Sequence, residues 1–235
     1  MTDLSPEAPS LTMADFFELS DELNGFLLMY RFGLEEMLTK VNILRDELSH
    51  ADPSGCPIEH VSHRLKHPKS VAEKAERLGC LPSFADVRSK VWDIAGIRIV
   101  CSFVTDAYHV LGMLQRQPDL TVVTVKDYIA EPKSSGYKSL HLIVELPVFL
   151  SERTEMVRVE VQIRTVAMDF WASLEHKIYY KYRTDVPQRL RDDLVAIAEA
   201  TDRLDQQMEQ LHLESRGHAP LPGLDHRSVR PLSEP

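Results

Sequence analysis

Apolar residues recur every three or four positions in long stretches near both ends of the chain. From Met13 to Leu48 they mark one face of a helix that Gly33 permits to bend or divide. From Pro187 to Leu211 the apolar steps of four and three continue for about three heptads, which suits either packing on the same domain or a seam between subunits. We therefore predict helical extensions over 12–50 and 185–213.

Between these helices the spacing changes to that of strands. In Ile97–Val104 apolar residues occupy both odd-numbered and even-numbered positions, as in a central strand that is buried on both faces. Arg98 projects from the face opposite Ile97. In Val157–Arg164 the valines alternate with polar residues, so one face packs on a core and the other meets solvent or a site. Further strands and intervening helices are predicted at 122–125, 140–146, 71–78, 82–92, 107–115 and 165–182. This order indicates an α/β or α+β sheet domain over 51–184.

Basic residues collect where the predicted helix at 71–78 begins. Ser70 occupies the expected N-cap position and Gly79 the C′ position. Because helix N-termini attract anions, Arg64, Lys66 and Lys74 near this start form a candidate phosphate site, with a solvated helix entry as the simpler interpretation. Asp93, just before the central strand, is a candidate metal ligand close to the same opening. In the same way, Asp106 is predicted to cap the helix at 107–115.

The segment Lys126–His141 joins two predicted strands through a flexible loop. It contains Lys126, Lys133 and Lys138 as point charges, Tyr137 as a flat ring and His141 as a hydrogen-bond donor. Such groups suit the phosphates and base of a nucleotide. A polar surface loop would have a similar composition, so this segment alone does not decide between the two.

Composition excludes several classes of protein. The formal net charge of −9 argues against a general nucleic-acid or membrane-surface binder. Cys56, Cys80 and Cys101 are too widely spaced for a structural zinc site and fit a reducing compartment. The sequence shows no signal peptide and no apolar run near the ~20 residues that span a bilayer, so we expect a cytoplasmic protein. Residues 1–11 and 214–235 are predicted to be disordered.

Four motifs together resemble one family. They are Arg64-x-Lys66-x-x-x-Ser70, Asp93-Ile-Ala-Gly-Ile-Arg98, the Lys126–His141 segment, and Glu160-Val-Gln-Ile-Arg-Thr165 followed by Trp171-Ala-x-x-Glu-His176. In this order, over about 60–182, they resemble the synthetase domain of the RelA/SpoT family. The chain has no room for the hydrolase and regulatory domains of long members, and so is similar to a small, stand-alone alarmone synthetase.

The resemblance implies a fold and a reaction. The fold is α+β, with a mixed sheet of about five strands flanked by helices, nucleotidyltransferase-like, and with helical extensions at both ends. The reaction transfers pyrophosphate from ATP to the ribose 3′-hydroxyl of GDP or GTP, giving ppGpp or pppGpp and AMP. Phosphoryl transfer requires Mg²⁺ on carboxylates and cations around the phosphates. The resemblance also implies a homo-oligomer, commonly a tetramer.

The resemblance assigns roles to individual residues. Asp93 and Glu160 match the catalytic and Mg²⁺-binding carboxylates, with the role of Glu160 as base or metal ligand left open. The positions that match ATP contacts are Arg64, Lys66, Ser70, Lys74 and Arg98. Those that match GDP or GTP contacts are Lys126, Lys133, Tyr137, His141, Gln162 and Asp169, with Tyr137 stacked on guanine.

Two departures and two alternatives accompany this interpretation. Lys126 stands where relatives often have Arg, and Asp169 where some have Asn, so the preferred acceptor among GMP, GDP and GTP is open. A nucleotidyltransferase would usually carry an Asp-x-Asp pair, whereas Ile94 and Ala95 follow Asp93. A catalytically inactive nucleotide-binding regulator would lack a carboxylate that this chain retains.

Overall fold

The computed structural model describes residues 13–51, 55–182 and 186–216. In chain order the elements are α1 (Met13–Ala51), β1 (Ile58–Leu65), α2 (Pro68–Arg77), α3 (Phe84–Lys90), β2 (Ala95–Cys101), α4 (Val104–Gln115), β3 (Thr121–Asp127), β4 (Leu140–Phe149), β5 (Thr154–Thr165), α5 (Val166–Tyr182) and α6 (Gln188–Arg216). Of the residues predicted to be disordered, 1–11 and 217–235 lie outside the described residues, whereas the prediction was wrong for 214–216, which belong to α6.

The five strands form one mixed sheet in the order β1-β2-β5-β4-β3. β1 is antiparallel to β2, β2 is parallel to β5, and β5, β4 and β3 form an antiparallel run. The predicted mixed sheet with flanking helices and helical extensions is confirmed.

One face of the sheet carries the main core. Along β2, Ile97 and Ile99 are fully buried on this face, and α1 packs over it through an apolar stripe. The buried members of the stripe are Tyr30, Leu34, Met37, Val41 and Leu44. α1 is undivided at Gly33, where a Cβ would overlap the side chain of Val157. The glycine is thus a point of close helix–sheet packing.

Two predicted helix caps were wrong. α2 begins at Pro68, and His67 is its N-cap, accepting a hydrogen bond from the Lys69 N–H at Nδ1. Pro68 fixes this start because its ring suits the first helical position and holds the preceding residue extended. Likewise, Phe103 is the N-cap of α4, and Asp106 lies in the first turn with its carboxylate accepting from the Phe103 N–H. Gly79 has the positive φ of +63° expected at C′.

The two C-terminal helices also differ in detail from prediction. The helical spacing within 165–182 predicts a core-facing stripe that includes Phe170, Trp171 and Leu174. Trp171 is buried, but Phe170 is 61% exposed and Leu174 is exposed too, because α5 packs inward through Met168, Trp171 and Ala172. α6 continues to Arg216, past the predicted end at 213. No helix in the described ranges combines the length and apolar composition needed to cross a membrane.

Candidate active site

The open face of the sheet carries two rows of polar side chains. Strand register aligns Arg64 with Gly96 and Gly96 with Glu160. The next row runs Ser62, Arg98, Gln162, His141 and Lys126 across all five strands. The part of these rows that lies on β1, β2 and β5 lines a cleft of about 220 Å³. Gly96 leaves the floor open, since a Cβ there would stand 3.9 Å from both Arg64 Cγ and Glu160 Oε2.

Asp93 lies just before β2 and pairs with two lysines. Its Oδ2 is 2.7 Å from Lys66 Nζ and 2.6 Å from Lys74 Nζ. Burial alone would raise the pKa of Asp93, but hydrogen bonds and charge from the two lysines outweigh it and hold this pKa below its usual value. The carboxylate is therefore ionised at neutral pH.

Glu160 is held by residues of β5 and β4. Gln162 Nε2 donates to its Oε2 at 3.0 Å, and His141 Nδ1 lies 3.4 Å from its Oε1. Burial and the charge of Asp93 raise the pKa of Glu160, yet the contacts with His141 and Gln162 leave it lowered overall. The two carboxylates thus sense each other's charge across the cleft.

Asp93 and Glu160 are the carboxylates of this site that could hold a magnesium ion together with a substrate. Among the described residues, Asp93 Oδ1 is buried without a hydrogen-bond partner, which leaves an oxygen available as a ligand. The described part of the chain contains no group of three or more His, Cys, Asp or Glu residues suited to a metal. Mg²⁺ commonly binds one or two carboxylates and completes its shell with water and substrate phosphates.

Asp169 of α5 bridges two arginines of the open face. Its Oδ1 lies 3.2 Å from Arg98 Nη1 and 3.2 Å from Arg164 Nη1. Burial and the positive charge of Arg164 lower the pKa of Arg98, partly offset by Asp169. Within the described chain Arg98 Nε is buried and lacks a partner, so the guanidinium keeps a donor for a ligand.

The β3–β4 loop (residues 128–139) folds back against this arginine pair. Tyr137 is 8% exposed, and its ring lies beneath the Lys133 ammonium at 4.8 Å and the Arg164 guanidinium at 5.1 Å. The Tyr137 hydroxyl accepts from Arg164 Nη2 at 2.5 Å and lies 2.6 Å from His141 Nε2. Because the ionised Glu160 can only accept, the His141 proton is assigned to Nδ1, and in the neutral imidazole Nε2 then accepts from the Tyr137 hydroxyl.

Four of the predicted site residues line this cleft, and the others contact its lining or lie further away. Arg64, Arg98, Glu160 and Gln162 line the cleft directly. Lys66 and Lys74 form ion pairs with Asp93. Ser70, in the first turn of α2, is exposed, and so are Lys126 and Lys133. Lys138, first grouped with the phosphate-binding lysines, is paired with Asp202 of α6.

Sequence reasoning missed Arg164 as an organising residue. Its side chain is 6% exposed and donates to Gln162 Oε1 at 2.8 Å and to Ser139 Oγ at 3.4 Å, in addition to Tyr137 and Asp169. The sequence did contain a signal for it. Every second residue of a strand lies on the same face, so Arg164 continues the polar face of Glu160 and Gln162.

Comparison with known proteins places this arrangement in a family. The family described as "Region found in RelA / SpoT proteins" matches residues 63–185, just over half of the chain. The chain belongs to the RelA/SpoT family. GTP pyrophosphokinase YwaC of Bacillus subtilis is 46% identical over 196 residues, covering 83% of this chain and 93% of that relative.

Solved structures agree with this family in fold. The small alarmone synthetase 1 of Bacillus subtilis bound to its product pppGpp has a TM-score of 0.78 at 39% identity, covering 83% of this chain and 99% of that one. The same synthetase bound to AMPCPP gives 0.72 at 36% identity, with coverages of 84% and 100%.

Proposed function

We propose that this chain is a GTP pyrophosphokinase that transfers pyrophosphate from ATP to the ribose 3′-hydroxyl of GDP or GTP, making ppGpp or pppGpp and AMP. The observation that carries the proposal is the pair Asp93 and Glu160, ionised on either side of Gly96 in a cleft lined by arginines. The 46% identity to a GTP pyrophosphokinase and the pppGpp and AMPCPP complexes of a similar synthetase support it.

ATP would bind on the β1–β2 side of the cleft. Arg64 and Arg98 project there from adjacent strands, where planar guanidinium groups can stack on adenine as well as carry charge. Lys66, Lys74 and, at the start of α2, Ser70 are assigned to the phosphates. Triphosphate oxygens would replace Asp93 as partners of the two lysines.

GDP or GTP would bind on the β3–β4–β5 side. His141 and Gln162 lie beside Glu160, and Lys126 and Lys133 at the rim can reach phosphates. Asp169 holds Arg98 and Arg164, linking the two sides. Stacking of guanine on Tyr137 requires Lys133 to leave the ring that it covers.

The reaction needs charge neutralisation and one proton transfer. The 3′-oxygen forms a bond to the β-phosphorus of ATP, the bond from that phosphorus to the α–β bridging oxygen breaks, and AMP leaves with the electron pair. Glu160, ionised at neutral pH, is assigned to accept the hydroxyl proton or to orient the hydroxyl. Asp93 and Glu160 would hold Mg²⁺, which supplies neutralisation of phosphate charge.

Incubation with γ-labelled ATP, Mg²⁺ and GMP, GDP or GTP in turn tests the proposal. The expected products are AMP and a guanine nucleotide carrying the label. Release of labelled pyrophosphate without AMP would instead indicate nucleotidyl transfer, and tight binding of both nucleotides without turnover would indicate a regulator. Omitting Mg²⁺ should abolish product formation.

The outer face of α6 is proposed to bind a second copy of the chain. Ile197, Leu204, Met208 and Leu211 are 45–58% exposed and follow the four-three spacing of a helix seam. The neighbouring face of the same helix packs on α5 through Leu194 and Ala198. A homo-oligomer therefore stays our prediction for this stripe, with a tetramer as the expected state.

A further inference from the structure

The β3–β4 loop is supported by α6 on both sides of Tyr137. Gly136, immediately before it, has a φ of +88° and packs so closely on Ala198 that a Cβ at Gly136 would overlap the alanine methyl. Lys138, immediately after it, forms an ion pair with Asp202, one turn further along α6. Contacts with α6 therefore fix the backbone that carries Tyr137.

The loop has limited support of its own. The Lys133 N–H donates to the Tyr137 carbonyl at 3.2 Å and the Gly136 N–H to the Lys133 carbonyl at 2.8 Å, which closes a local turn. The Tyr128 N–H donates to the Ser139 carbonyl at 3.0 Å and ties the base of the loop. Neither set of bonds fixes how far the turn stands from the cleft.

In contrast, α6 is anchored independently of the loop. The Trp171 indole N–H donates to the Leu194 carbonyl at 3.0 Å, and Thr165 Oγ1 donates to Asp205 Oδ2 at 2.7 Å. Near its C-terminal end, Glu209 accepts from the Thr105 N–H at 3.1 Å and His212 stacks on Phe103 with ring centroids 4.1 Å apart. α6 is thus a fixed support against which the turn rests.

We infer that Ala198 and Asp202 of α6 are positioning residues for the guanine-nucleotide side of the site, an inference that rests on the proposed function. Ala198 and Asp202 determine how closely Gly136 and Lys138 approach α6. The positions of these two residues in turn determine where the Tyr137 ring lies and where its hydroxyl meets Arg164 and His141. The effect of Ala198 and Asp202 falls first on acceptor binding, because Arg64, Lys66 and Lys74 of the ATP side lie on β1, before α2 and on α2. Arg98 is connected to this contact indirectly, through Asp169 and Arg164.

Two substitutions test the inference. Ala198→Val adds methyl groups against Gly136, and Asp202→Asn removes the charge that pairs with Lys138 while keeping side-chain size. Since a displacement of about 1 Å can cost up to about a hundredfold in rate, we expect each variant to raise the KM for GDP or GTP by about tenfold or more. The KM for ATP should rise much less, because the ATP-side residue Arg98 is connected to Tyr137 indirectly, through Asp169 and Arg164.

Matched controls lie on the exposed face of the same helix. Ala200→Val makes the same change as Ala198→Val at an exposed position, and Asp193→Asn breaks the exposed pair with Arg189 instead of the pair with Lys138. Both should keep the parent KM for the acceptor. The charge-swapped double variant Lys138→Asp with Asp202→Lys should recover part of the lost acceptor affinity if the pair acts by position.

Direct titration with GDP in the absence of ATP separates this inference from the proposed function. If the parent protein fails to make AMP and ppGpp, the proposed function is wrong, while weaker GDP binding by Ala198→Val and Asp202→Asn would still support the positioning role. Parent-like GDP affinity in both variants overturns the inference. An equal rise in both KM values, or lower thermal stability with the acceptor KM unchanged, would also overturn it by showing a general structural role. If Ala198→Val does not fold, Asp202→Asn decides the question.

Discussion

Lys74 Nζ lies 2.6 Å from Asp93 Oδ2, so a residue of α2 holds the carboxylate that precedes β2. Lys66 approaches the same oxygen at 2.7 Å, while Oδ1 is left without a partner among the described residues. The two oxygens of one carboxylate thus differ, because Oδ2 is shared by two lysines and Oδ1 is buried without a hydrogen bond.

Replacement of Asp93 should separate activity from folding. Asp93→Asn keeps the side-chain shape and removes the charge, so we expect synthesis to fall by at least about a hundredfold, as when a preorganised charge is lost from an active site. Thermal stability should change by no more than about 1 kcal/mol, because both lysines are partly exposed and can turn to water. Glu160→Ala is expected to abolish synthesis as well.

Asp86→Asn is the control for this experiment, since it breaks an exposed Asp–Lys pair with Lys90 that is remote from the cleft. Steady-state rates and thermal melts of the variants settle the point. Near-normal synthesis by Asp93→Asn would mean that the wrong carboxylate has been assigned.

The Tyr137 hydroxyl and ring should have separable effects. Tyr137→Phe removes the group that accepts from Arg164 and contacts His141, so kcat should fall by about tenfold or more through the loss of order around Glu160. Buried polar atoms left unpaired should cost about 1–3 kcal/mol of stability. Tyr137→Ala should also raise the KM for GDP or GTP, because it removes the ring.

Initial-rate measurements with each nucleotide varied in turn check both variants. An unchanged acceptor KM in Tyr137→Ala would exclude guanine stacking on this ring. Full kcat in Tyr137→Phe would show that the hydroxyl contacts serve the fold alone.

Two glycines of α1 should respond oppositely to the same substitution. Gly33→Ala would bring a Cβ to 2.5 Å from Val157 Cγ1, and overpacking of this kind costs about 1–3 kcal/mol. Gly25→Ala meets no atom within 4 Å and should stabilise the helix by about 0.5–1 kcal/mol. Chemical denaturation measures both, and adding Val157→Ala should partly restore Gly33→Ala. Equal effects at the two positions would contradict the packing described for Gly33.

Asp205 should make stability depend on pH. Burial, with the nearby charges of Asp202 and Glu209, raises the pKa of Asp205 to about 6 against the hydrogen bond from Thr165 and the charge of Lys138. The folded protein therefore holds more protons than the unfolded chain between about pH 4 and 6, and the free energy of unfolding falls as pH rises through this window. Above it, the ionised carboxylate costs about 2–3 kcal/mol.

Asp205→Asn removes that cost and can still accept from Thr165. Its melting temperature should exceed that of the parent at pH 7.5, and the gain should disappear near pH 4. The exposed Asp193→Asn serves as control and should show no such trend. A gain that is constant with pH would rule out titration of Asp205 as its cause.

The apolar stripe of α6 predicts association. Leu204→Glu with Leu211→Glu places charges on two exposed positions of the stripe and should shift an oligomer toward monomer. Sedimentation at micromolar concentration measures the change. A parent protein that is already monomeric would contradict the proposed contact between copies through this stripe. The control for the added charge is Ile43→Glu, at an exposed apolar position on α1.

The alternation of side chains along a strand made it possible to predict which site residues share a face of the sheet. Glu160 and Gln162 alternate with buried valines, so their shared face followed from spacing, and the family resemblance supplied the candidate roles. The same alternation places Arg164 on this face. It does not indicate that Arg164 is buried, because the burial comes from Tyr137, Ser139 and Asp169 in other segments. The nearly complete burial of Tyr137 in a segment expected to be a flexible loop has the same origin.

Local signals failed where two of them competed. Ser70 is a favourable N-cap residue, yet Pro68 sets the start of α2 three residues earlier than predicted and His67 takes the cap. Phe170 and Leu174 fit the helical spacing of a core face, but α5 turns Met168, Trp171 and Ala172 inward. Which apolar residues of a short helix are buried depends on its neighbours, and those are distant in sequence.

The parallel pairing of β2 with β5 has a consequence for how activity arises during folding. β1 and β2 carry Arg64 and Arg98, which are assigned to ATP, and β3, β4 and β5 carry three of the residues assigned to the acceptor, Lys126, His141 and Gln162. Ala95 pairs with Val159 across more than sixty residues, so closing this contact costs more loop entropy than forming the β4–β5 hairpin. Each half can assemble locally, but Asp93 and Glu160 face each other only after the two halves join. Enzyme activity recovered during refolding should therefore lag behind the return of secondary structure.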